Sequence, residues 1–122
     1  MAEPIVDPSA LLEGLNEAGL IAWNGRVLAS NSAAKSLLGA AIDGDPLERV
    51  ISHPAALEAL ERIGSDDTEE VELTGLGGSR RHWLMRSAPL TSGAVLIRFV
   101  DRSEARAAEQ MRVDFVANAV MN

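Results

Sequence analysis

The chain has 122 residues, which is enough for one domain of ordinary size and too few for a second independent core. With 18 acidic residues against 11 basic ones the net charge is −7, which argues against nucleic acid or an anionic membrane surface as the main partner. The absence of cysteine excludes disulfides, thiolate metal sites and cysteine nucleophiles from this sequence. The apolar runs fall far short of the roughly 20 residues that span a bilayer, and the first residues lack the layout of a signal peptide, so we expect a soluble chain.

The N-terminal stretch predicts a short amphipathic helix. Asp7 is a suitable N-cap, Pro8 suits the first helical position, and the helix should end near Gly19. The apolar stripe of this helix consists of three leucines, Leu11, Leu12 and Leu15. Such a narrow stripe fits packing on the chain's own domain and packing on a second copy equally well.

The clearest local signal is the dipeptide Asn24-Gly25, which lies between two apolar runs. Both central positions of a type I′ turn need a positive φ, so this pair predicts a two-residue β-hairpin. Asn31 or Ser32 then caps a helix, and Gly39 closes it.

The middle of the chain predicts short helices and then strands. Turn-forming residues lie at Asp43 to Pro46 and at Ser52 to Pro54. They separate a single helical turn from a helix over residues 55–63. Three strands are expected over residues 69–74, 80–88 and 94–100, joined by short turns. The fold class is therefore predicted as α+β, with a five-stranded antiparallel sheet and short helices on one face.

The C-terminal stretch from Asp101 to Ala119 predicts a helix that leaves the last strand, capped by side-chain oxygens at Asp101 and Ser103. Four residues of this helix recur at spacings of three and four, as in a short coiled coil: Ala108, Met111, Phe115 and Asn118. A terminal helix that folds back on its own domain would use the same residues, and spacing alone favours neither arrangement.

No arrangement of residues indicates catalysis or a metal site. His53 and His82 fall in different elements without ligand-like spacing, so we interpret them as a helix-start residue and a strand surface residue. Six large apolar residues either fill the core or line a cavity between sheet and helices: Trp23, Leu37, Leu38, Trp83, Met85 and Phe99. Filling the space is the default in so small a domain, so we expect no cofactor, with a small apolar ligand as the alternative.

Two segments resemble motifs of one known family. Asn31 to Gly39 is similar to the N-x-A-A-x-x-L-x-G segment that follows the second strand of PAS domains. The segment Asp101 to Glu104 resembles the D-I-T-E motif at which the last PAS strand enters the signalling helix. At the third position of the motif Ser103 keeps the hydroxyl group, and at the second position Arg102 replaces the usual apolar residue. The predicted order of elements is also that of a PAS domain, and the resemblance covers residues 8–119.

A third segment resembles sensor histidine kinases. Arg112 to Ala119 is similar to the approach to their phosphoacceptor box, which runs F-V-A-N-A-S-H-E-L-R-T-P. Where the family continues with Ser-His-Glu, this sequence has Val120-Met121-Asn122, which are either native residues or a foreign tail. Because the phosphoacceptor histidine is therefore missing, we do not expect the chain to phosphorylate itself. Leu47 to Ala55 looks closest to the PAS domains of phosphate-regulon (PhoR-like) kinases.

The resemblance implies three parts: an N-terminal flanking helix at residues 1–18, a PAS core at 19–101 and a signalling helix at 102–122. It implies a sensory or relay domain, not itself an enzyme, that acts as a homodimer within a histidine kinase and indirectly on a response regulator. The parent could be anchored in the inner membrane. Asp101 and Ser103 would relay the signal, and paired helices would meet through Leu11, Leu12, Leu15, Met111 and Phe115. The alternatives are a ligand-free dimerisation or protein-interaction module, and a small ligand-binding or catalytic protein that shares the fold.

Overall fold

A computed structural model describes residues 8–61, 68–76, 81–90, 93–103 and 108–113. In these ranges four short helices and five strands follow one another, and residues 108–113 are helical as well. The elements are α1 (Pro8–Glu13), β1 (Ala18–Trp23), β2 (Arg26–Ser30), α2 (Ser32–Leu38), α3 (Leu47–Ile51), α4 (Pro54–Glu61), β3 (Glu69–Thr74), β4 (His82–Pro89) and β5 (Val95–Asp101).

The five strands form one antiparallel sheet in the order β2-β1-β5-β4-β3. The last three strands are a meander, and the early hairpin joins it because β1 pairs with β5, with Leu20 opposite Ile97. The predicted α+β class and the five-stranded antiparallel sheet are therefore confirmed. The strands start and end within two residues of the predicted positions, and Asp101 still belongs to β5.

The hairpin between β1 and β2 turns as its sequence predicts. Asn24 has φ 54° and Gly25 has φ 76°, the left-handed pair that a type I′ turn requires. The ladder then shifts by one residue, because Ile21 pairs with Ala29 and Ala22 pairs with Val27. Leu28 lies at this bulge and is 56% exposed.

The core lies between one face of the sheet and the helices α2 to α4. Each of the three central strands of the sheet sends fully buried side chains to this face, with Leu20 from β1, Ile97 and Phe99 from β5, and Met85 from β4. Side chains alternate along a strand, so the residues between these positions point to the opposite face. Leu37 and Trp83, half-buried, pack against the same core.

Helix α1 lies on the opposite face of the sheet. Gly19 alternates with the core residues Ala18 and Leu20, and a Cβ placed on it would lie 2.7 Å from Leu15 Cδ1. Leu12 is the buried residue of the helix, at 4% exposure. The N-terminal helix thus packs on its own domain where β1 begins, and the glycine at position 19 leaves room for Leu15, which follows the helix.

Parts of the predictions lie outside the described residues, namely the cap at Asp7, the end of the helix over residues 55–63, and Phe115 and Asn118 of the C-terminal helix. Within the described ranges, no helix has the length and apolar character that a membrane crossing requires.

Candidate functional site

The sheet ends in a hydrogen-bonded junction between β5 and the start of β4. The Asp101 carboxylate accepts a hydrogen bond from the Ser103 amide through Oδ1, at 2.9 Å. The Ser103 hydroxyl accepts from the backbone amide of His82 at 2.9 Å, and the Arg102 amide donates to the His82 carbonyl at 2.7 Å. Of the two residues predicted to relay a signal, Ser103 therefore bonds the exiting chain to β4, and Asp101 holds the amide of Ser103.

Arg81 completes this junction from the other side. Its Nη1 lies 2.9 Å from Asp101 Oδ2, so the carboxylate is shared between a guanidinium and the turn that follows β5. The amide of Ser103, with smaller contributions from its hydroxyl and from Arg81, holds the pKa of Asp101 below its ordinary value. Asp101 is thus held in the charged form that the turn needs.

A chain of polar contacts extends from the junction to the helices through Thr74. Thr74 stands opposite His82 in the β3–β4 ladder, and its Oγ1 lies 3.5 Å from His82 Nδ1. On the other side, Nε2 of His53 lies 3.2 Å from the Thr74 carbonyl oxygen. The two histidines, which the sequence places in unrelated elements, therefore meet at one threonine. The register of the β3–β4 hairpin is the only sequence-level signal that could have paired Thr74 with His82.

A second junction ties α1 to the core through Asn31. Its Nδ2 donates to the carbonyls of Leu12 at 2.8 Å and Glu17 at 3.0 Å, and its Oδ1 accepts from Gly19 at 3.0 Å and Ala34 at 2.9 Å. The side chain is 2% exposed and uses every hydrogen bond that an amide can make. The cap on α2 that the sequence predicts is present, but its three further contacts reach residues 12 to 19 positions away and could not be read from local pattern.

Charged groups reinforce this second junction. The Glu13 carboxylate accepts hydrogen bonds from the Ser32 amide and from the Ser32 hydroxyl, the latter at 2.7 Å. The Ser32 amide is the main cause that lowers the pKa of Glu13. Glu17 Oε1 lies 3.0 Å from Nη1 of Arg98 on β5. Helix α1 and the segment after it are therefore bound to α2 and to the central strand of the sheet.

The largest of the described cavities has a volume of about 390 Å³ and opens beside the β1–β2 turn. Its lining is mainly apolar and includes Trp23, and its polar members are Asn24 and the carboxylates Glu48 and Glu61. The other side chains predicted to line a cavity are placed in or against the core: Met85 and Phe99 at 0% exposure, and Leu37 and Trp83 half-buried. Leu38 lines a second cavity, near His53.

The residues predicted to pair two chains are placed differently from one another. Leu12 is buried against the chain's own sheet, while Leu11 is 63% exposed and Leu15 is half-buried beside Gly19. Met111 is 72% exposed in the helical residues 108–113. Leu11 and Met111 are thus accessible for contact with a second copy.

Comparison with known proteins adds no family, because no protein-family model matches the chain and no curated protein matches it. In the described ranges, no group of three or more histidine, aspartate or glutamate side chains is placed to hold a metal ion.

Proposed function

We propose that this chain is a PAS-type sensory or relay domain of a two-component sensor histidine kinase of the phosphate-regulon (PhoR-like) kind. In this proposal it transmits a conformational signal through a dimeric C-terminal helix to the kinase. It acts in the cytoplasm as a homodimer, and the ATP-binding and phosphoacceptor parts belong to the parent kinase. The element order supports the proposal: a flanking helix, a hairpin, short helices, a three-strand meander and an exit beyond β5.

The observation that carries the proposal is the junction at Asp101 and Ser103. These two side chains fix the direction in which the chain leaves the sheet, because Asp101 holds the Ser103 amide and Ser103 holds the His82 amide. Both bonds act on backbone groups, so a small movement of β4 against β5 would change the course of the chain beyond residue 103.

A signal of this kind requires little energy. Coupling free energies between two sites in a protein are typically about 1–3 kcal/mol, or a change in equilibrium of about 5-fold to 150-fold. A few hydrogen bonds of about 1 kcal/mol each are enough to bias one exit geometry over another. The junction has this scale, whereas the fully buried core around Phe99 is too closely packed to rearrange in small steps.

Asp101→Ala in the full-length kinase tests the proposal. We expect the fold to persist, since Asp101 is exposed, and regulation of autophosphorylation to be lost because the exit is no longer fixed. Asp45→Asn is the matched control, since it removes a carboxylate that lies outside the junction. If autophosphorylation of the full-length kinase with Asp101→Ala is regulated as in the wild type, the relay proposal is wrong.

A second candidate function is a ligand-free dimerisation or protein-interaction module. It is favoured by the filled core, in which Leu20, Met85 and Phe99 leave no exposed surface for a small molecule. Native mass spectrometry of the purified chain separates a ligand sensor from a domain that works without a ligand. A dimer with a discrete extra mass supports a ligand sensor, and a dimer at the bare polypeptide mass supports the interaction module or a protein-coupled relay.

A further inference from the structure

A second cavity, with a volume of about 300 Å³, lies between the end of α3 and the residues that follow β3. A water molecule occupies about 30 Å³ in the liquid, so the cavity has room for a small ion with some of its hydration. Its polar lining comes from Arg49, Ser52, His53 and the backbone of Gly75, and the remaining lining side chains are aliphatic. Among the described residues no acid lines it, although the chain as a whole carries a net charge of −7.

The ring of His53 is oriented by Thr74. A carbonyl oxygen can only accept, so the 3.2 Å contact with the Thr74 oxygen requires that His53 Nε2 carries a proton. The other ring nitrogen, Nδ1, is buried and has no hydrogen-bond partner. Within the part of the chain that the structure describes, it is the only buried side-chain nitrogen or oxygen without one. Burying a polar atom without a hydrogen bond costs free energy, so we expect Nδ1 to have a hydrogen-bond partner.

The charge of the surroundings indicates which partner fits. A neutral ring presents a lone pair at Nδ1, whereas a protonated ring presents a second N–H donor. Arg49 lines the same cavity as His53, and His82 lies on the far side of Thr74. The acids on α3 and α4 are Glu48, Glu58 and Glu61; Glu48 and Glu61 line the larger cavity, and none of the three lines this one. An anion would therefore meet one permanent positive charge and one that forms on proton uptake.

We propose that this cavity is a binding site for a small oxyanion, which accepts hydrogen bonds from His53 Nδ1–H and pairs with Arg49. Binding takes up a proton at His53, because only the protonated ring can donate to the anion while Nε2–H stays bound to Thr74. The site does not depend on the proposed kinase function. The contacts from His53 through Thr74 to His82 also place the occupied cavity next to the exit of the chain.

Sulfate is the suitable probe, because its charge stays constant over the range from about pH 8 to about pH 5.5 in which histidine side chains change charge. The full chain is titrated with sulfate at constant ionic strength, with chloride as the reference salt. NMR records the His53 ring resonances and the amides around the cavity. We expect saturable binding that is stronger at the lower pH by about tenfold, centred on residues 49–53.

Two variants and one control decide the outcome. His53→Gln keeps an N–H for the Thr74 carbonyl but removes Nδ1, so it should abolish the pH dependence of binding. Arg49→Gln removes the permanent charge and should weaken binding by about tenfold, whereas Arg112→Gln, on the exposed helical residues, should not. Non-saturable shifts, or binding that His53→Gln and Arg49→Gln leave unchanged, would overturn the proposal.

Discussion

The backbone amide of His82 donates a 2.9 Å hydrogen bond to the hydroxyl of Ser103, and this bond joins the first residue of β4 to a residue two positions beyond β5. The ladder between the two strands ends with Trp83 opposite Asp101, so the Ser103 contact extends the pairing into the exit. A side chain thus takes over the role of the next backbone acceptor. The Ser103 hydroxyl group, together with the Asp101 carboxylate, therefore helps to set the direction in which the chain leaves the sheet.

Ser103→Ala should lower the free energy of unfolding by about 1 kcal/mol, the usual net value of a neutral hydrogen bond. The change leaves the part-buried His82 amide without its acceptor. Urea denaturation measures the loss, and Ser103→Thr, which keeps a hydroxyl group, is the control and should retain most of the stability. An equal loss in both variants would mean that size, and not the hydroxyl, matters at this position.

Asn31→Ala, in the second junction, should lower the free energy of unfolding more than Ser103→Ala does in the first. It leaves the amides of Gly19 and Ala34 and the carbonyl of Glu17 without the partner that Asn31 supplies, while the Leu12 carbonyl keeps the Leu15 amide. Each buried polar group left unpaired costs about 1–3 kcal/mol, so the loss should reach at least about 3 kcal/mol.

Asn24→Gly is the matched control for Asn31→Ala, because the exposed turn at φ 54° accepts glycine without strain. It should change the free energy of unfolding by no more than about 0.5 kcal/mol. Urea denaturation of both variants measures the difference. A small effect of Asn31→Ala would show that water replaces the amide.

The sequence predicts the local features of this fold well and the long-range contacts poorly. Asn24-Gly25 demands a positive φ at two successive residues, and this demand is satisfied within four residues of chain. The α2 cap at Asn31 is likewise local. The contacts of Asn31 with Leu12 and Glu17 are not, because they exist only once β1 has brought the two segments together.

The same limit applies to the two histidines. Neither the spacing of His53 nor that of His82 indicates a relationship, since they meet only through the register of β3 on β4 and the position of α4. The residues that line a cavity are equally hard to identify from the local sequence, because they come from distant parts of the chain. Trp23 reaches a cavity because the β1–β2 turn lies beside α3 and α4, while Phe99 lies at the centre of the sheet and is fully buried.

Acid should weaken both junctions. The pKa values of Asp101 and Glu13 lie below their ordinary values, so the unfolded chain takes up these protons at a higher pH than the folded one. Their stabilisation is fully present at neutral pH, and it is lost as the pH falls from the ordinary carboxyl range of about 4 through the lowered pKa values.

The double variant Asp101→Asn with Glu13→Gln should therefore lose less stability between neutral and acid pH than the wild type. Thermal unfolding across the pH range measures this, with Asp45→Asn as a control that removes a carboxyl group outside both junctions. An acid dependence as steep as that of the wild type would mean that other carboxyl groups dominate.

Gly19→Ala should loosen α1 from the sheet. The added methyl would lie 2.7 Å from Leu15 Cδ1, closer than two carbon atoms can approach, so one of them must move. Overpacking of this kind costs about 1–3 kcal/mol. Leu15→Ala removes the clashing group, so Gly19→Ala should cost less in that background, with a coupling energy of at least about 0.5 kcal/mol. Simple additivity in the double-mutant cycle would show that Leu15 is not in contact with Gly19.

Met111→Glu tests the expected pairing of C-terminal helices. Met111 is 72% exposed and falls on the 108-111-115-118 stripe, whereas Val113, at 53% exposure in the same helical residues, lies off that stripe. If two copies pair along the stripe, a charge at Met111 should raise the dissociation constant of the dimer by about tenfold or more, because the glutamate would lose its hydration between the two helices. Val113→Glu introduces the same charge off the seam and should have little effect. Analytical ultracentrifugation of the two variants measures both dissociation constants, and equal values for both would mean that the copies do not meet along this stripe.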